Sequence, residues 1–167
     1  SGIIPLKDLE KWFGFDIKKI VRKGYLKATT NSKDLISEKF IAHFIAVPTE
    51  KNGKPYYKPL MNVLNNISKI RNLNTKIPPL VVVESTLAPK VSDKKILPFL
   101  KRKKFQIGKN ILFAVAPRRD WFIEGVKNLE NLDRVYGSTD NNSAKVTKNV
   151  LSIVCKKLHV ATSYKVS

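Results

Sequence analysis

Three short polar stretches in this chain each follow an apolar run: Val47-Pro48-Thr49, Glu84-Ser85-Thr86, and Ala116-Pro117-Arg118-Arg119-Asp120-Trp121. Their hydroxyls and peptide groups suit hydrogen bonding to ribose, phosphate or a carboxamide such as that of nicotinamide. Ser85 or Thr86 can equally cap the helix behind it, and the plainer reading makes all three stretches turns and caps.

The elements that would position them follow from periodicity. "FIAHFIAVP" (40–48) reads as a central parallel strand covered on both faces, and "LVVVES" and "ILFAVAP" read as two more buried strands. "TEKNGKPYYKP" is a polar loop leading to a helix over "LMNVLNNISKI". A second helix runs from Val91 to about Lys104, interrupted at Pro98. After the loop "RRDWFIEGVKNLENLD" come the strand "RVYGS", a helix "NNSAKVTKNVLSIVCKKL" behind an Asn or Asp cap, and a final strand "HVATSY". Residues 6–23 suggest two short helices broken at Gly14, the second closed by Gly24. "YLKATT" is read as a short strand, and Asn31 or Ser32 as the cap of the turn "SKDLIS".

Strands alternating with helices predict an α/β fold, a mostly parallel sheet with helices on both faces, in one domain over 1–167. Ligands of such sheets bind outside the carboxyl ends of the strands, so all three polar tips should share one edge.

The 32 Lys and Arg against 13 Asp and Glu give a net charge of +19, an excess that attracts nucleic acid, anionic lipid or phosphate-bearing small molecules. The lysines are scattered, however, with no block of five or more, which is the pattern of a solvated surface. A single cysteine, Cys155, rules out an internal disulfide, and the stripe Val150, Ile153, Val154 and Leu158 predicts a buried thiol. No apolar run is long enough for a membrane span and no signal peptide is evident, so a soluble, cytoplasmic chain is expected. Neither His43, inside a strand, nor His159 has metal-ligand spacing, so no metal is expected. The seven glycines form no G-x-G-x-x-G, so the usual pyrophosphate cradle is missing.

"FIAVPTE" with "NGKP", then "LVVVESTLAP", "ILFAVAPRRDWF", "LDRVYGST" and a helix leading to "HVATSYKVS" resembles, in order and spacing, the NAD-dependent nucleotide-sugar dehydrogenases. These are the UDP-glucose and UDP-N-acetylmannosamine 6-dehydrogenase type. The resemblance covers about Leu6 to Ser167 and implies the later part of a Rossmann-type NAD-binding domain. It further implies that the first strands and glycine loop would precede Ser1, and that the nucleophilic cysteine would lie beyond Ser167. It assigns Thr49, Glu84, Ser85 and Thr86 to NAD, with Thr86 also positioning the water used in the chemistry. Pro117, Arg118, Arg119, Asp120, Trp121 and Arg134 fall on the side of the UDP-sugar substrate, Arg134 matching an arginine that precedes a Gly-Gly pair in the family.

Three positions depart from that pattern: Lys90 stands where the family has glycine, Arg118 where it often has glutamate, and Ser138 where it has the second glycine. The resemblance thus implies an NAD-dependent oxidation of the sugar C6 alcohol to the uronic acid, with this chain alone inactive. The alternative reading is a basic Rossmann remnant that binds polyanions or serves assembly. A sheet edge left open where the first strands belong would invite self-association or a partner chain.

Overall fold

The computed structural model describes residues 16–36, 40–70, 78–118 and 133–164. Two compact units are distinguished, Ser1–Asp34 and Leu35–Ser167. In the first, helix α1 (Ile17–Arg22) is capped by Asp16, whose carboxylate accepts from Lys19 N at 3.1 Å, and closed by Gly24 at φ +75°. The predicted strand over "YLKATT" is absent: Tyr25 to Thr30 form no ladder. Local polar bonds replace it, the Thr29 hydroxyl donating to Asp34 at 2.6 Å and the Asn31 side chain to the same carboxylate at 2.8 Å. A single 3-10 turn follows at Ser32–Leu35, with Asn31 Oδ1 accepting from Lys33 N. The first of the two predicted N-terminal helices lies outside the described residues.

The second unit contains the sheet. Strands β1 (Ala42–Ile45), β4 (Leu80–Val83) and β5 (Leu112–Val115) are mutually parallel, and β6 (Arg134–Ser138) joins β5 antiparallel with β7 (Leu158–Val160) parallel to it, in the order β1-β4-β5-β6-β7. Between β1 and β4, a two-stranded hairpin, β2 (Glu50–Lys51) and β3 (Lys54–Pro55), turns through Asn52 and Gly53, both at positive φ. The stretch read as plain loop therefore holds the short-range Asn-Gly hairpin signal.

Alternation across the pleat divides the core in two. Val81, Val83, Phe113 and Val115 pack with Leu60 and Leu64 of helix α2 (Lys58–Ile67), with Leu100 of helix α3 (Leu97–Arg102) and with Ile96 just before α3. Leu80, Val82, Leu112 and Ala114 face helix α4 (Asn141–Leu151) through Leu151. Helices thus cover both faces, as the sequence predicts. The predicted break at Pro98 takes the form of a π-helical stretch, Ser92–Ile96, before α3. Proline has no N–H for the i−4 carbonyl and its ring crowds that carbonyl, so the ladder widens ahead of it. Asp140 caps α4, accepting from Ser143 N at 2.9 Å. Burial pushes its carboxyl up, but the hydrogen bonds from Ser143, Thr139 and Asn142 outweigh this and hold it below its usual value.

Two predictions about burial fail. The run 40–48 is not a doubly covered central strand: β1 is four residues long and outermost in the described sheet, with Ile41 72% and Phe44 47% exposed. Apolar content records what a strand could bury, not how many neighbours it has. The stripe through Ile153 and Val154 is likewise no helix face, since α4 ends at Leu151 and Ile153 is 80% exposed. Cys155 itself is buried, as expected.

Past β7, where the predicted strand "HVATSY" stops at Val160, the chain crosses β6. A Cβ on Gly137 would stand 2.4 Å from Tyr164 Cα, so only glycine lets the segment pass. Tyr164 meets Phe113 edge-on, ring centroids 6.4 Å apart, and its hydroxyl donates to Asp93. Burial first, then the Asp93 hydrogen bond and charge, push that hydroxyl from 10.0 to about 12. The folded state therefore holds the phenolic proton more tightly than the unfolded chain does. Stability from this site is intact below pH 10 and lost as pH rises from 10 towards 12. Urea midpoints across that range should fall less steeply for Tyr164→Phe than for wild type, and equal slopes would refute the linkage.

Candidate functional site

Because β1, β4 and β5 are parallel neighbours, their carboxyl ends bring residues 47–49, 84–86 and 116–118 to one edge, as the sequence predicts. The antiparallel β6 then starts at that edge, which places Arg134 beside them. Backbone bonds carry the ladder on into the tips: Glu84 N to Ile45 O at 2.9 Å, Ala116 N to Val83 O at 2.9 Å, and Arg118 N to Glu84 O at 3.2 Å.

Side chains then lace the tips together. The Ser85 hydroxyl accepts from Val47 N at 2.8 Å and donates to Val47 O at 2.7 Å. The Thr49 hydroxyl donates to Thr86 O at 2.7 Å. Glu84, read from sequence as a cofactor contact, gives its carboxylate to Arg134 in an ion pair whose side chains are each 10% exposed. The same Nη2 of Arg134 donates to Ala116 O at 2.8 Å. Sequence reasoning missed this pair because its members lie 50 residues apart. The available signal was a carboxylate ending a fully buried strand, which demands a cation.

Thr86, by contrast, is exposed, and among the described residues no hydrogen bond engages its hydroxyl. Thr49 is half-buried with its hydroxyl oxygen still able to accept. Pro117 is half-buried and Arg118 exposed at the third tip; Arg119, Asp120 and Trp121 lie outside the described residues.

Lys90 follows the second tip with φ +69°, a left-handed backbone that glycine adopts freely and lysine does not. A glycine, which the resemblance leads one to expect at this position, would adopt that backbone without strain. Lys90→Gly should raise stability by about 0.5–1 kcal/mol, strain relief exceeding the added freedom of the unfolded chain, as read from a denaturant midpoint. A lowered midpoint would show that the lysine side chain earns its place by contacts.

Among the described residues no group of three or more His, Cys, Asp or Glu comes together. His159 Nε2 and Asp133 Oδ2 are 2.9 Å apart, but both side chains are more than half exposed, where such pairs contribute little. His43, with its ring 5.3 Å from Phe40, is kept towards its neutral form by burial. No described helix is long and apolar enough to cross a membrane.

Residues 6–154 match the UDP-glucose/GDP-mannose dehydrogenase family, NAD binding domain. The chain belongs to that family. No curated protein is matched by the sequence. Among solved structures, the UDP-N-acetyl-mannosamine dehydrogenase Cap5O from Staphylococcus aureus is similar at a TM-score of 0.80 and 23% identity, over 99% of this chain and 38% of that one. The NDP-N-acetyl-D-galactosaminuronic acid dehydrogenase from Methanosarcina mazei Go1 is similar at 0.75 and 26%, over 95% of this chain and 33% of that one. A GDP-mannose dehydrogenase from Pseudomonas aeruginosa is similar at 0.69 and 18%, over 90% and 35%. The chain thus spans 33% to 38% of the length of these three proteins. The matched model is that family's NAD-binding domain, which makes NAD the cofactor of the parent enzyme.

Proposed function

We propose that this chain supplies the nicotinamide side of an NAD-dependent nucleotide-sugar 6-dehydrogenase, which oxidises the C6 alcohol of a UDP-sugar to the uronic acid. The observation that carries this reading is the exposed Thr86 hydroxyl, left without a partner among the described residues at an edge whose other polar groups are committed to one another.

The edge fits the cofactor. Thr86 can donate to it, Thr49 can accept from it, and Ser85 and Glu84 hold the loop that presents them. The chemistry NAD would supply there, when bound, is that of a hydride acceptor for the sugar carbon. Thr86 orients the water consumed in the second oxidation, while Pro117 and Arg118 line the sugar side; Arg119, Asp120 and Trp121, which the resemblance assigns to the same side, lie outside the described residues. Cys155, buried at 6% exposure, is not placed to act as a nucleophile. Turnover therefore requires parts this chain does not supply, and mixing it with NAD and a UDP-sugar should generate no NADH absorbance.

The test is a fluorescence titration with NADH. The wild-type chain should bind, and Thr86→Val should bind about tenfold more weakly, the loss of one hydrogen bond of roughly 1.4 kcal/mol. Failure of wild type to bind, or equal affinity of the two, would remove the proposal.

A further inference from the structure

The Glu84–Arg134 pair joins two strands that are not neighbours, since β5 lies between β4 and β6. The guanidinium reaches across the carboxyl end of β5, takes Ala116 O on the way, and ends on the carboxylate that closes β4. Within a few residues of these anchors stand the two tips assigned above to different ligands, Thr86 on one side and Pro117-Arg118 on the other. We infer that Arg134 is a positioning residue: anchored by Glu84, it fixes the spacing between the cofactor tip and the substrate tip.

Three observations set this apart from a substrate contact through Nη2 or Nε. The Nη2 hydrogens are already given to Glu84 and Ala116. The Nε is buried and has no partner among the described residues. The side chain is only 10% exposed. A purely structural role is also a poor account, because apolar residues of similar volume would fill a buried position at a smaller desolvation cost than an ion pair. What apolar residues cannot do is hold a carbonyl and a carboxylate of different strands at one set distance. The fork of an arginine does that, and the single ammonium of a lysine does it poorly.

The inference uses the proposed function for its ligand arm, so the test has a second arm that needs no ligand. Amide hydrogen exchange would be followed by NMR at Arg118, whose N–H bonds to Glu84 O, and at Val47, whose N–H is held by Ser85. In Arg134→Lys the Arg118 amide should exchange about tenfold faster with Val47 unchanged, and NADH affinity should fall by a similar factor. Arg134→Met should show larger changes in the same order, and if it does not fold, the lysine variant carries the test alone. Unchanged exchange at Arg118 in the lysine variant overturns the inference, whatever the affinity does. Lost affinity with unchanged exchange would mean direct contact. Should the wild-type chain not bind NADH, the proposed function fails, and the exchange arm still decides whether Arg134 sets the spacing.

Discussion

Gly137→Ala is expected to lower stability by about 3 kcal/mol, the upper end of the cost of overpacking. The new Cβ would lie 2.4 Å from Tyr164 Cα and 2.7 Å from Ser163 O, and neither is the far end of a flexible side chain. Relief has two routes. The segment after β7 can lift, giving up the Tyr164–Asp93 hydrogen bond and uncovering Phe113, or β6 can slide and break the pairing of Gly137 with Val115. Ser138→Ala, one residue on, is the control: its hydroxyl is buried with no partner among the described residues, so its removal should be neutral or slightly stabilising. Urea denaturation of both variants decides the matter. A Gly137→Ala midpoint equal to that of wild type would refute the close approach.

The second large effect concerns the ion pair. Glu84→Ala leaves the Arg134 guanidinium buried with its counter-charge removed, a change that costs about 3–5 kcal/mol. Replacing both members, as in Glu84→Leu with Arg134→Met, should recover most of that loss, because no charge then remains uncompensated in the interior. A double-mutant cycle on denaturant midpoints would show strong coupling between the two positions. Additive losses would mean that the residues do not act on each other. If the pair is a device of position, the double variant should be stable and still bind NADH poorly.

How much of this could be read from the chain differs by level. Strands β4 and β5 were legible because four successive apolar residues in each are fully or nearly fully buried, and their polar ends followed directly. Strand β1 carries the same signal at the border of the described sheet, and no local pattern distinguishes one neighbour from two. The direction of β6 was not legible either, since pairing depends on how the chain travels through 119–132. That direction placed Arg134 at the site edge rather than at the far end. The end of α4 at Leu151 has no glycine or proline to announce it, so Ile153 and Val154 were assigned to a helix face that does not exist. The candidate site was legible as three tips and illegible as a network, because hydroxyl and carboxylate partners 37 to 50 residues distant leave no trace in spacing.

The passage of Ser163 and Tyr164 over Gly137 also bears on how this unit would respond to proteolysis. A segment that packs on Phe113 and holds Asp93 is part of the folded unit, although Ser163 and Tyr164 are only half-buried. Nicking the chain between Val160 and Ser163 would therefore do more than trim an end: it would loosen the helix behind the Thr86 tip and expose aromatic surface. The pieces would be expected to become sticky together rather than separately inert.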